Sequence, residues 1–240
     1  MKICVLGLGY VGAVSAGLLA KEGHEVIGVD PERTKVDLIN EGRSPIIEKD
    51  LGEIIAAEVK SGRLHAATNL EDAVRHTDLS FVCVGTPSQA NGGIDLKYVK
   101  RVCEQIGRTL ASHPGAPVIV FRSTMLPGTM RGIVIPLLEK YSGKRAGEEF
   151  GVCINPEFLR EGTAVHDYYH PPKTVIGERP SLMRSTLVRS GSTPMTSCPS
   201  FARRPADTAP TYPRPRTQIF IGENGARSTL RAPPERGPLS

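Results

Sequence analysis

The run Gly7-Leu8-Gly9-Tyr10-Val11-Gly12 leaves few folds open, because it sits directly between a short apolar run and a longer stretch rich in Ala, Leu and Gly. Glycines in a G-x-G-x-x-G spacing at a strand-to-helix junction have distinct physical tasks. The first permits a tight turn, the second lets backbone approach a pyrophosphate, and the third lets helix and strand pack closely. Phosphate charge then rests on the free N–H groups at the helix N-terminus. Alone the pattern is weak, since Gly-rich turns also occur without ligands. A second element supports it: Asp30 ends another apolar run, 18 residues beyond Gly12. A carboxylate there can bond ribose hydroxyls and repels a 2′-phosphate, so NAD is favoured over NADP.

The pattern around this turn is an alternation of short apolar runs with longer amphipathic ones, as in a parallel sheet covered by helices on both faces. The spacing predicts strands over 2–7, 25–30, 79–84, 118–121 and 151–154. It predicts helices over 11–21, 32–40, 51–61, 94–110 and 128–140, with Gly42 ending the second and Asp95 capping the fourth. Residues 1–178 therefore read as an α/β Rossmann-type doubly wound domain.

After Glu178 this grammar stops. Residues 179–240 hold 10 of the 20 prolines and 10 arginines but no lysine, with Ser and Thr scattered among them. Proline at that density blocks helices and sheet ladders alike, and the segment is expected to be a disordered Pro/Arg/Ser-rich tail. So abrupt a shift also reads as translation out of frame, with a genuine basic tail as the alternative. The net charge of +5 belongs to this segment, because residues 1–178 carry 20 basic and 22 acidic side chains. The first 178 residues thus give no charge-based reason to expect nucleic acid.

Five cysteines, at 4, 83, 103, 153 and 198, show no CxxC pair and no metal-ligand spacing with histidine, so no metal is expected. A reducing, cytoplasmic setting fits them. No stretch approaches the ~20 apolar residues that span a bilayer, and no signal-peptide core is expected.

Further motifs follow in order: Val84-Gly85-Thr86-Pro87, Arg122-Ser123-Thr124, and Asn155-Pro156-Glu157-Phe158-Leu159-Arg160-Glu161. Glu157 and Glu161 are four apart, so a helical turn would put both on one face, where repulsion and burial can raise one pKa for acid–base work. With Gly7–Gly12 and Asp30, the series resembles the UDP-glucose/GDP-mannose dehydrogenase family. The stretches Leu38–Ile46, Pro127-Gly128-Thr129, Pro171-Pro172 and Thr174–Glu178 also match and side with its GDP-mannose branch. The similarity covers 1–178 and nothing beyond.

This resemblance implies cofactor contacts from Tyr10, Val11, Asp30, Lys35, Thr86 and Thr124, alongside Gly7, Gly9 and Gly12. It implies that Glu161 contacts the sugar nucleotide and positions water, with Glu157 and Thr124 as further catalytic candidates. As plain structural alternatives, Lys35 is a solvated helix charge and Thr124 a helix cap. Members of the family oxidise a sugar 6-hydroxyl to a carboxylate in two hydride transfers, consuming two NAD. The second step needs a thiolate to form an oxidisable adduct with the aldehyde. The family takes that thiol from a Gly-Gly-Ser-Cys segment, with a Lys and an Asn from a central helix that also joins two subunits. None of these has a counterpart in residues 1–240, and Cys198 lies in an unrelated context. The expectation is NAD binding without four-electron oxidation. A UDP-glucose enzyme and a non-catalytic NAD-binding module with a basic tail are the other readings.

Overall fold

The computed structural model describes residues 1–90, 92–178, 217–221 and 227–231. In chain order the elements are β1 (Lys2–Leu6), α1 (Tyr10–Lys21), β2 (Glu25–Val29), α2 (Arg33–Asn40), α3 (Leu51–Lys60), β3 (Leu64–Ala67), α4 (Leu70–Arg75) and β4 (Leu79–Val82). There follow α5 (Lys97–Ala111), β5 (Val118–Phe121), a π-helical turn (Met130–Val134) running into α6 (Ile135–Ser142), β6 (Gly151–Ile154), α7 (Ala164–Tyr169) and β7 (Thr174–Glu178). The strands lie in the order β3-β2-β1-β4-β5-β6-β7, parallel as far as β6, with β7 antiparallel to it. Strand order reverses between β1 and β4, which opens a crevice at their carboxyl ends.

Strand β1 shows why the sheet must be covered on both sides. Its alternate residues enter opposite cores: Ile3 and Val5 pack with α1 and α3, Cys4 and Leu6 with α4, α5 and α6. A strand buried on both faces reads as a continuous apolar run. Helix α1 is buried from Gly12 to Ala20 without interruption. Its small residues let α3 come close, and a Cβ on Gly17 would lie 3.2 Å from Leu51 and 3.3 Å from Ile55.

The predicted elements are present with ends shifted by at most three residues, apart from the fifth helix, whose first turn is π-helical. Strands β3 and β7 and helices α4 and α7 were not predicted. They are only four to six residues long, too short for a period to register. Asp95 does serve the start of α5, its carboxylate accepting the Lys97 N–H at 2.8 Å. Within 179–240 the expectation of no sheet ladder needs correction at two stretches, β8 (Thr217–Ile221) and β9 (Arg227–Arg231). Both are free of proline, so every N–H remains able to donate, and they extend the sheet beyond β7. The rest of that segment lies outside the described residues.

Among the described glycines, the third of the motif leaves the least room for a side chain. A Cβ on Gly12 would stand 1.7 Å from the Gly7 carbonyl oxygen. Gly12→Ala is therefore expected to lower stability by about 3 kcal/mol or more, the upper range of overpacking costs. Gly17→Ala meets only side-chain ends, and a gain of about 1 kcal/mol in helix propensity offsets the squeeze. Urea unfolding of the two variants checks this, and equal midpoints would contradict it.

Candidate functional site

The four loops that carry the motifs all leave the carboxyl ends of parallel strands: β1, β4, β5 and β6. In the first, Gly7 has φ +96°, a conformation L side chains avoid, with the Cys83 carbonyl against it. Gly9, by contrast, faces open space, with nothing within 4 Å of where a Cβ would be. It is the N-cap of α1, and neither a capping side chain nor an acidic residue occupies the first turn. The amides there are left for an anion, and the missing Cβ lets one approach.

Asp30, just past β2, is 5% exposed. Its Oδ2 accepts the Leu8 N–H at 2.7 Å and its Oδ1 the Glu32 N–H at 2.9 Å, so the carboxylate braces the glycine turn. Two bonds leave lone pairs free on a group with about four acceptor positions, and a ribose hydroxyl can use them. Lys35 stands 3.7 Å from Asp30 and 2.9 Å from Glu32. The hydrogen bond with Glu32 holds its ammonium above the ordinary pKa. The trio keeps one net negative charge, which disfavours a 2′-phosphate.

The β4 and β5 loops are sewn together. Thr86 Oγ1 donates to the Thr124 carbonyl at 3.0 Å, and Ser123 Oγ to the Val84 carbonyl at 2.6 Å. Thr124 is not a helix cap, since the next helical turn begins at Met130. Arg122, not anticipated from sequence, is buried with its guanidinium 5.6 Å from the Phe81 ring centre and its Nε unpartnered. Burial pushes the neighbouring Cys83 thiol up to about 12, against the pull of Arg122.

Past β6 the expectation of a helix carrying Glu157 and Glu161 on one face is corrected. Residues 155–160 are irregular, 161–163 form a turn, and α7 starts only at Ala164. Pro156 cannot donate an N–H, and Glu157 turns its carboxylate onto the Leu159 N–H at 2.6 Å. Glu161 is exposed at the turn. Arg160 does not balance these two but grips Asp167 with two guanidinium bonds, of 2.8 and 3.0 Å. Those bonds hold the buried Asp167 carboxyl well below the usual carboxylate range.

The turn is fastened to the glycine loop by Glu48, which sequence reasoning also missed. Its carboxylate accepts the Tyr10 hydroxyl at 2.5 Å, the Gly162 N–H at 2.8 Å and the Ala164 N–H at 3.1 Å. Burial pushes Glu48 upward, but these bonds outweigh it and hold the carboxyl below its ordinary value. Its one sequence signal was its position just past the matched stretch ending at Ile46. Nothing local marks it, because its partners are 38 to 116 residues away.

A glycine turn with free amides at a helix start, braced by an acid at the next strand's end, defines a dinucleotide-binding domain. The chain belongs to the UDP-glucose/GDP-mannose dehydrogenase family, whose NAD binding domain matches residues 1–189, so NAD is its cofactor. It is 56% identical to the GDP-mannose 6-dehydrogenase of Azotobacter vinelandii over 178 residues, covering 74% of this chain and 41% of the relative. Identity to the UDP-glucose 6-dehydrogenase AglM of Haloferax volcanii is 38% over 187 residues, covering 78% and 43%. A ternary complex of GDP-mannose dehydrogenase from Pseudomonas aeruginosa superposes with a TM-score of 0.76 at 51% identity, over 79% of this chain and 43% of that one. The chain thus spans about two fifths of the length of the curated relatives it matches. Among the described residues, no helix is long and apolar enough to cross a membrane and no metal-holding cluster occurs.

Two predictions follow from this geometry. Gly9→Ala is expected to fold as the parent does, within about 0.5 kcal/mol, yet to weaken NAD binding by at least tenfold; calorimetry showing unchanged affinity would contradict it. The second concerns acid. Asp167 and Glu48 have folded pKa values below their unfolded ones, so their stabilisation is complete above about pH 5 and is lost as pH falls through the folded values. Amide exchange in 160–169 is therefore expected to accelerate in acid before that of β1 and β4. Asp167→Asn is expected to loosen the segment at neutral pH and blunt this response.

Proposed function

We propose that residues 1–178 form the cofactor half of a nucleotide-sugar 6-dehydrogenase of the GDP-mannose type; the family match runs eleven residues further, to 189, and 190–240 stand outside it. The observation that carries this reading is the Glu161 turn, fastened through Glu48 to the dinucleotide loop and following β6, which neighbours β5 in the parallel sheet. The substrate class is supported by identities of 54–56% to GDP-mannose 6-dehydrogenases, against 38–39% to UDP-glucose 6-dehydrogenases.

Within this reading, the amides of α1's first turn carry the diphosphate and Asp30 accepts the adenosine ribose hydroxyls. Lys35 lies beside that ribose, with Tyr10 and Val11 along the turn. Thr86 and Thr124, joined by their hydrogen bond, would hold the cofactor from the loops after β4 and β5. Bound NAD supplies the hydride acceptor. Glu161, exposed and ionisable, contacts the sugar nucleotide and positions water, and Glu157 supports the same loop from its folded-back conformation. A cytoplasmic setting belongs to the same proposal; the family's homodimer does not, because the helix that joins two subunits has no counterpart in residues 1–240.

The second oxidation needs an accessible thiolate, and none of the described cysteines supplies one. Burial pushes Cys83 and Cys103 up to about 12 and raises Cys4 as well. The 240-residue chain is therefore expected to take up NAD saturably, to prefer it over NADP, and to form no uronic acid from GDP-mannose. Calorimetry and absorbance at the NADH band test this. Two NADH formed per sugar would overturn the loss of the second step, and competition between GDP-mannose and UDP-glucose would decide the substrate.

A further inference from the structure

We infer that Glu48 is a positioning residue that couples occupation of the Gly7–Gly12 turn to the placement of Glu161. The inference rests on the reading above, in which NAD lies on the turn and Glu161 faces the sugar nucleotide. Glu48 itself belongs to neither loop. It lies in the link between α2 and α3, and its carboxylate gathers groups from both sides.

From the cofactor side comes Tyr10, the first residue of α1, whose backbone N–H is one of the amides free for a diphosphate. From the substrate side come the Gly162 and Ala164 N–H groups, at 2.8 and 3.1 Å. The Tyr10 hydroxyl also lies 3.0 Å from the Arg160 carbonyl. Residues 160, 162 and 164 are thus held while Glu161, between them, projects to solvent. None of these bonds uses the Glu161 carboxylate, so the latch fixes its backbone and leaves its chemistry free.

An ionised carboxylate is acceptor-only, and here all three donors converge on its two oxygens. Seating a diphosphate on the Tyr10 amide fixes the start of α1 and with it the phenol that Glu48 meets. The carboxylate then has one orientation in which it also satisfies Gly162 and Ala164. NAD bound at the turn thereby favours the held state of residues 160–164, and such a differential contact is what coupling between two sites requires. A tether without this role would hold the loop equally with or without cofactor.

Amide hydrogen exchange on the full chain, with and without saturating NAD, separates the two. Exchange at Gly162 and Ala164 is expected to slow on NAD addition by about 5- to 150-fold, the usual span of coupling between sites. In E48Q the gain is expected to vanish while NAD still binds, because the amide nitrogen cannot accept and one N–H loses its acceptor. NAD uptake with unchanged exchange at these two amides, or a full gain retained in E48Q, overturns the inference while leaving NAD binding intact. Absence of NAD uptake by the folded parent overturns both. Should E48Q fail to fold, the parent arm decides alone.

Discussion

Gly12 has no Cβ, and the rest of the site depends on that. Were one present, it would occupy the space of the Gly7 carbonyl oxygen, 1.7 Å away. Because it is absent, α1 can start almost on top of the end of β1, with its first amides directed over the sheet's crevice. The same contact fixes Gly7 in a left-handed conformation against the Cys83 carbonyl. Leu8 then emerges with its N–H aimed at Asp30. One steric constraint thus sets the helix start, the turn and the position of the acid at the end of β2.

Asp30 illustrates how one residue can serve both fold and ligand. The sequence suggested only a group waiting for a ribose, whereas in the structure the carboxylate already bonds Leu8 and Glu32. These roles are compatible because each bond uses one lone pair and leaves others free. A neutral amide at this position would keep a single acceptor atom, so either the brace or the ribose contact would weaken.

Much of the fold was legible because β1, β4, β5 and β6 are buried on both faces and read as unbroken apolar runs. The glycine turn and Asp30 were legible because their spacing follows from local geometry. What was not legible depends on contacts distant in sequence. Glu48 meets partners up to 116 residues away, and Arg122 shows its burial only once Phe81 lies beneath it. The error at Glu157 and Glu161 has a local cause: a four-residue spacing signals a helix face only where the backbone is helical. Pro156, the side chain of Glu157 folded onto Leu159, and Gly162 at φ +83° together prevent that. The proline-free stretches of β8 and β9 were hidden by averaging composition over 62 residues.

The buried thiols follow from the packing that a dinucleotide turn requires. A dinucleotide turn must be backed by close-packed, apolar structure, and Cys83 belongs to that backing: its carbonyl faces Gly7, and its Cβ lies 3.4 Å from where one on Gly12 would be. A nucleophilic cysteine needs the opposite surroundings, exposed and electropositive, so that the thiolate forms near neutral pH. Arg122 supplies positive charge beside Cys83, yet burial still dominates and the thiol stays high. Cys83 is therefore unsuited to act as a nucleophile for the same reason that it supports the turn. A reaction needing both a rigid dinucleotide cradle and a reactive thiolate has to draw them from different parts of a structure.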